Sequence, residues 1–212
     1  MAKEKAGRMV EHTDAYSVAG QGISPSPGRT QEDLWVEASR KGDTRAFNRL
    51  VLKWEKTVYN ITLRMLQNRE EAAEATQDVF LQAYRNIGRF RRNARFSTWI
   101  YRIATNHCIT CMRRRPPGIH QSLEDGSSDS FQAQLQVSGS QIDTIIHAER
   151  QGRIHKALSH LVPEQRAAVE LKFFQGMTFE EIAAVLETPL STIKSRIYAG
   201  LEILKVRLAD DA

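Results

Sequence analysis

Residues 177–207, MTFEEIAAVLETPLSTIKSRIYAGLEILKVR, carry two helix-start signals about ten residues apart, which leaves room between them only for a tight turn. Thr178 and, three residues on, Glu181 fit a capping box, with the hydroxyl taking a backbone N–H of the first turn and the carboxylate reaching back. Met177 before the cap and Ile182 inside the helix are spaced to pack on each other as a hydrophobic staple. The first helix is predicted to end near Leu186. Thr188-Pro189 then supplies the second start, a capping hydroxyl with proline at the first helical position.

In the second helix Leu190, Ile193, Ile197, Leu201, Leu204 and Leu208 recur at three and four, an apolar stripe that needs a core to face. Ser191, Thr192, Lys194, Ser195 and Arg196 fall mostly off the stripe, near the N-terminus. Short hydroxyls and cations in that position suit a helix entering a major groove, where they reach phosphates and base edges. The pattern predicts a helix-turn-helix with this as its recognition helix. An ordinary two-helix corner with a solvated face gives the same pattern, so the rest of the chain has to decide.

At 212 residues and 41% hydrophobic, the chain can bury one moderate core or two small ones. The N-terminal 32 residues are polar and rich in Gly, Ser and Pro, and no run approaches a membrane span or a leader's apolar segment. A cytoplasmic protein is expected, with 1–32 a flexible tail. The net charge of +5 is unevenly placed. Residues 33–115 hold 17 Lys and Arg against 8 Asp and Glu, whereas 116–147 hold 4 acids and no Lys or Arg. The first module is therefore the one that faces a polyanion.

Between 31 and 66 the apolar pattern is helical, interrupted at Lys41-Gly42-Asp43. Residues 69–88 predict a further helix, with Gly88 placed to end it. Then comes the densest constellation in the chain, RFRRNARFSTWIYR at 89–102. Arginines neutralise phosphates, while aromatic faces and a small polar loop can hold unstacked bases, so the mixture suits opened DNA better than intact duplex. Ser97 or Thr98 is placed to cap the next helix, which should run to Arg115 before Pro116-Pro117-Gly118 stops it. Trp99 can be core, DNA contact, or both. Residues 116–144 lack periodicity and read as a flexible linker. Beyond it a helix leads to Leu161-Val162-Pro163, and Pro163 opens another that Gly176 closes. The fold class is all-α: two small helical domains, 33–115 and 145–212, joined by a linker, the second ending in the helix-turn-helix.

Three motifs in this order, EAAEATQDVFLQAYRNI at 71–87, RFSTWIYRIATN at 95–106 and the stretch 161–200, resemble bacterial sigma factors of the extracytoplasmic function group, read as small two-domain members of the primary sigma family. The resemblance spans about residues 33–115 and 145–208. It implies a transcription initiation subunit that binds RNA polymerase core and helps open promoter DNA. The first motif matches the helix laid against the clamp of the largest polymerase subunit, which makes Gln77, Asp78, Phe80, Leu81 and Tyr84 core-binding candidates. The loop Arg91, Arg92, Asn93, Arg95, with Ser97, Thr98, Trp99 and Arg102 behind it, matches the element that captures a flipped base of the minus-ten strand. Flipping costs a few kcal/mol of unstacking, which a pocket for the exposed base offsets. Asn93 is the best single candidate for that base. The helix-turn-helix matches the module reading minus-thirty-five duplex, with Lys172 a phosphate contact from the preceding helix. Control by a separate anti-sigma protein is the family expectation, and the long tail has no counterpart in the minimal family architecture.

His107, Cys108 and Cys111 invite a metal or redox reading, but three ligands on one helical face do not close a tetrahedral site, and residues three apart strain a disulfide. Buried small residues are the expectation, with no metal and no cofactor. No phosphate-binding glycine loop, HExxH or nucleophile with a base occurs, so no enzyme is expected. A stand-alone helix-turn-helix regulator remains the alternative.

Overall fold

The computed structural model describes residues 29–90, 95–115 and 152–210. The expected tail up to residue 28, the expected loop residues 91–94 and the expected linker 116–144 lie outside the described residues, as does the expected start of the second domain up to 151. No strand occurs among the described residues.

The basic module is built from four helices, α1 (Gln31–Arg40), α2 (Thr44–Leu66), α3 (Arg69–Asn86) and α4 (Phe96–Arg114). The first three start on side-chain caps. Thr30 and Asp33 form a capping box, Asp43 Oδ1 accepts the N–H groups of Arg45 and Ala46, and Asn68 Oδ1 accepts that of Glu71. These bonds satisfy donors that a helix start leaves open. α2 ends on Gln67 in the left-handed region, at φ 59°, which lets the chain reverse directly into α3. Gly88 does not end α3 in the way its position suggests: α3 stops at Asn86, and Gly88 sits within a 3-10 turn, Ile87–Arg89. Leu50, Val58, Ile61, Met65, Val79, Ala83, Ile100 and Ala104 are buried between the helices. Where α2 crosses α3, the buried hydroxyls of Thr62 and Thr76 lie 3.0 Å apart and both donate to the Ala72 carbonyl.

The C-terminal module contains α5 (152–159), α6 (Pro163–Val169), α7 (Phe179–Leu186) and α8 (Leu190–Asp210). Pro163 opens α6 as predicted, and α6 continues into a π turn, Glu170–Phe174, that periodicity did not foretell. Gly176, at φ 68°, adopts the left-handed conformation that closes it, a conformation costly for any residue with a Cβ. Ile182, Val185, Ile193 and Ile197 form the corner's core. Gly200 lets α8 lie close on α6, since a Cβ there would stand 3.2 Å from Val169 Cγ2. The apolar stripe of α8 is buried at Ile193 and Ile197, half-buried at Leu190, Leu201 and Leu204, and exposed at Leu208.

The two modules pack on each other. α4 lies against α6 and α7, and buried apolar residues of both modules form one continuous cluster. Hydrogen bonds cross the same boundary, from Arg64 to Glu170, Gln67 to the His155 carbonyl, and Arg166 to the Met65 carbonyl.

Candidate nucleic-acid interface

In the C-terminal module the corner is set by α7. Thr178 and Glu181 make the predicted capping box, with the Glu181 N–H donating to Thr178 Oγ1 at 3.2 Å and the Thr178 N–H to Glu181 Oε2 at 2.8 Å. Met177 and Ile182, the expected staple pair, are both buried. Glu187, left-handed at φ 49°, makes the turn, and the Thr188 N–H returns to the Ala183 carbonyl. The Thr188 hydroxyl differs from its predicted role. It donates to the Leu186 carbonyl within the turn, and α8 begins one residue after Pro189, whose carbonyl accepts the Ile193 N–H.

α8 then presents Ser191, Lys194 and Ser195 to solvent, with Thr192 and Arg196 half-buried beside them. Arg196 approaches the Thr188 hydroxyl at 3.4 Å. Tyr198, 59% exposed and one turn beyond Lys194, shares this face. Its aromatic side chain falls outside the hydroxyl-and-cation pattern that marks this face in the sequence, although its i+4 spacing from Lys194 places it there. The first turn of α8 carries no acid, a favourable setting for phosphate. Lys172 is tied into its own module: it donates to the Met177 carbonyl at 3.1 Å and lies over the Phe179 ring, which Lys194 also approaches.

The basic module's site lies at the start of α4. Arg95 takes the cap position with no side-chain hydrogen bond to the helix, and no acid stands in the first turn. Ser97 and Thr98 are therefore not the caps expected: they lie inside the first turn, half-buried. Behind them Trp99 is half-buried, its ring 5.0 Å from Phe90 and 5.6 Å from Phe96, so it is both packed at home and partly open to a ligand. Arg91, Arg92 and Asn93 lie outside the described residues. Arg102 joins α7, with Nη1 on Glu187 Oε1 at 2.7 Å and Nη2 on the Ala184 carbonyl.

On α3, Gln77 and Asp78 are exposed, Leu81 is 46% and Tyr84 44% exposed, and Phe80 is 8% exposed within the core. Phe80 thus supports this face from beneath and does not present its ring to a partner. Asp78 stands 3.8 Å from His107. Burial pushes the thiol of Cys108 up, helped by Cys111 and Glu170, and burial also raises that of the half-buried Cys111. Both therefore disfavour the reactive thiolate. No group of three or more His, Cys, Asp or Glu is placed to hold a metal among the described residues.

Titratable groups gather where the modules meet. Burial, with the nearby charges of Arg64 and Arg166, lowers His155 to about 4. Burial, with Arg115 beside it, lowers Arg166 to about 10. Burial alone would raise Glu164, but its own backbone N–H and the hydrogen bond and charge of Arg113 hold it below the usual carboxylate range.

Sequence comparison matches Sigma-70 region 2 to residues 50–116 and Sigma-70, region 4 to residues 151–204. Similar proteins include the RNA polymerase sigma-H factor of Pseudomonas aeruginosa, 32% identical across 82% of this chain and 92% of that one. The ECF RNA polymerase sigma factor SigW of Bacillus subtilis is 32% identical across 82% of this chain and 95% of its own length. Among solved structures, CnrH in complex with the cytosolic domain of CnrY is similar in fold, at TM-score 0.62 and 20% identity over 84% of this chain and 97% of that one. The sigma factor RpoE from Bartonella quintana, in complex with the anti-sigma factor NepR, gives TM-score 0.55 and 19% identity over 80% of this chain and 100% of that one. Primary sigma factors are a separate group, so the broader placing expected from the sequence narrows. The chain belongs to the extracytoplasmic function group of RNA polymerase sigma factors, which act in transcription initiation.

Proposed function

We propose that this sigma factor grips a promoter at two separated elements with two differently built surfaces. The C-terminal module, residues 145–212, reads minus-thirty-five duplex through Ser191, Thr192, Lys194, Ser195 and Arg196, with Lys172 behind them and Tyr198 extending the face. The basic module, residues 33–115, captures and opens the minus-ten strand through Arg91, Arg92, Asn93, Arg95, Ser97, Thr98, Trp99 and Arg102. The observation that carries this reading is the pair of acid-free helix starts: α8 and α4 each begin with no carboxylate in the first turn, and each begins among hydroxyls and cations. Such ends attract phosphate, while side chains beside them read bases.

Gln77, Asp78, Leu81 and Tyr84 would dock on the clamp of the polymerase core, in the manner of an exposed helix face laid on a partner. Polymerisation chemistry then belongs to that partner and not to this chain. An anti-sigma protein is the expected inhibitor, as in the RpoE–NepR complex of the similar fold. The cytoplasm is the compartment where core polymerase and promoter are met.

Footprinting of polymerase carrying this chain on a selected promoter tests the division of labour. Lys194→Ala should weaken protection of the upstream duplex by about 1–3 kcal/mol, whereas Asn93→Ala should impair downstream opening and leave upstream protection in place. Identical losses from both substitutions would overturn the two-surface assignment. Tight operator binding by the chain without polymerase would instead favour a stand-alone regulator.

A further inference from the structure

We propose that Glu32 and Trp54 are positioning residues for strand capture: Glu32 fixes the Trp54 indole, and that indole supports the aromatic wall at the start of α4 against which an unstacked base is held. The inference rests on the minus-ten reading above and adds two residues that the reading does not contain.

Aromatic rings adjoin in series through the basic module. Trp99, half-buried in the first turn of α4, lies 5.0 Å from Phe90 and 5.6 Å from Phe96, and Phe90 and Phe96 meet edge to face at 6.2 Å. Phe96 in turn lies 6.2 Å from Trp54 of α2, which stands edge-on to Tyr101 at 5.8 Å. All these separations fall within the range at which aromatic pairs attract. Phe90, Phe96 and Tyr101 are buried, so the series runs through the core and reaches solvent at Trp99.

Trp54 is where the series meets a polar anchor on another helix. Its Nε1–H donates to Glu32 Oε2 of α1 at 3.2 Å. The same oxygen pairs with Lys53, whose ammonium lies 5.7 Å from the centre of the Trp54 ring. The Glu32 side chain is 17% exposed, and its backbone belongs to the first turn of a helix started by the Thr30–Asp33 box. A capped helix therefore places the carboxylate.

The torsion that turns an indole about its Cβ–Cγ bond has two broad wells, which put the larger ring on opposite sides. A hydrogen bond to a charged acceptor is among the stronger ones a side chain makes, so Glu32 selects the well that lays Trp54 on Phe96 and Tyr101. Phe96 depends on that support. It is the first residue of α4, whose start has no side-chain cap, so packing has to set its position. Phe90 and Phe96 also stand on either side of residues 91–95 in the sequence. A base stacked on Trp99 bears on Phe90 and Phe96, and Phe96 bears on Trp54. A wall already set does not have to be ordered when the base arrives, which raises affinity for the opened strand. The series contains no residue of α8, so its loss should fall on strand opening and spare the upstream grip.

The test uses the full chain bound to polymerase core on a selected promoter, offered as intact duplex and with its minus-ten region already unpaired by mismatches. Glu32→Ala and Trp54→Phe should each slow strand opening several-fold, read by permanganate reactivity over time, and weaken retention of the pre-opened promoter by a similar factor. Core affinity and the footprint over the upstream element should not move. Glu32→Gln keeps an acceptor for the indole N–H and should restore opening. Lys53→Ala removes the other partner of the same oxygen and should leave opening unchanged. Ile61→Val or Ile61→Ala, whichever matches the melting-temperature loss of Glu32→Ala, controls for stability from a buried position of α2 outside the series, and should open the promoter at the unaltered rate. Should Trp54→Phe fold poorly, the Glu32→Ala and Glu32→Gln pair decides alone. Opening impaired by Asn93→Ala but unmoved by Glu32→Ala would overturn the positioning role and leave the minus-ten reading standing. Glu32→Gln as slow as Glu32→Ala, or a stability-matched Ile61 variant as slow as either, would overturn it too, since loss of charge or of general stability would then suffice.

Discussion

The starts of α7 and α4 differ in what they do with their open backbone N–H groups. α7 satisfies its own, through Thr178 and Glu181, and its first turn is acidic. α4 begins on Arg95, whose side chain does not cap it, with no acid in its first turn and a sequence rich in arginine before it. The first arrangement fixes a corner and leaves little for a ligand. Among the described residues, the second offers a positive helix end with no carboxylate in its first turn, at some cost in local stability. On the proposed reading, the difference separates a helix that positions a site from a helix that forms one.

The largest effect concerns the shared core. Ile193→Ala should cost about 2–5 kcal/mol, since Ile193 is fully buried among residues of both modules. A thermal melt should show a single transition moved down for the whole chain; a loss confined to signals from α8 would separate the modules that the common core joins.

Acid should act next. His155 is held neutral to about 4 against 6.5 when unfolded, so between those values the unfolded chain binds more protons. Stability is then complete above about pH 6.5 and falls as pH drops toward 4, by at most about 3 kcal/mol from this group. Glu164, also depressed, loses its contribution in the same direction. Denaturant titrations from pH 7 to 4 should show the slope, and His155→Gln should flatten it; an unchanged slope would detach the effect from this residue.

The smallest pair bears on the helix starts themselves. Thr178→Ala should lower stability by about 1 kcal/mol with little change in strand opening by the polymerase complex. Arg95→Asp should do the reverse, capping α4 and adding about 1 kcal/mol of stability while reducing opening, because a carboxylate there repels phosphate. Chemical denaturation and permanganate reactivity of the promoter read the two quantities. Matching signs for the two variants would erase the contrast.

What the sequence disclosed was mostly local. The Thr178–Glu181 box, the Pro163 start, the Gly176 stop and the buried Ile193 and Ile197 all depend on neighbours within one or two turns, where spacing is a sufficient guide. Thr30 and Asp33 carry the same kind of signal and begin α1 in the same way. Ser97 and Thr98 misled because a hydroxyl near a helix start fits the cap or the first turn equally well until the backbone is known. The pairing of Arg64 with Glu170 joins residues 106 positions apart, and nothing near either side chain announces the other. Arg102 shows the same limit: its sequence neighbours place it with the loop, while its partners lie on α7. Tyr198 was within reach of helical periodicity, since four residues from Lys194 is the same face.

The most direct measurement of the central claim is the distance between α3 and α8 in the full chain carrying dyes at Glu74→Cys and Glu202→Cys, taken first alone and then in the polymerase–promoter complex. Two surfaces used at separated elements predict a short distance in the free chain and a long one on the promoter. The same short distance in both states would contradict the account.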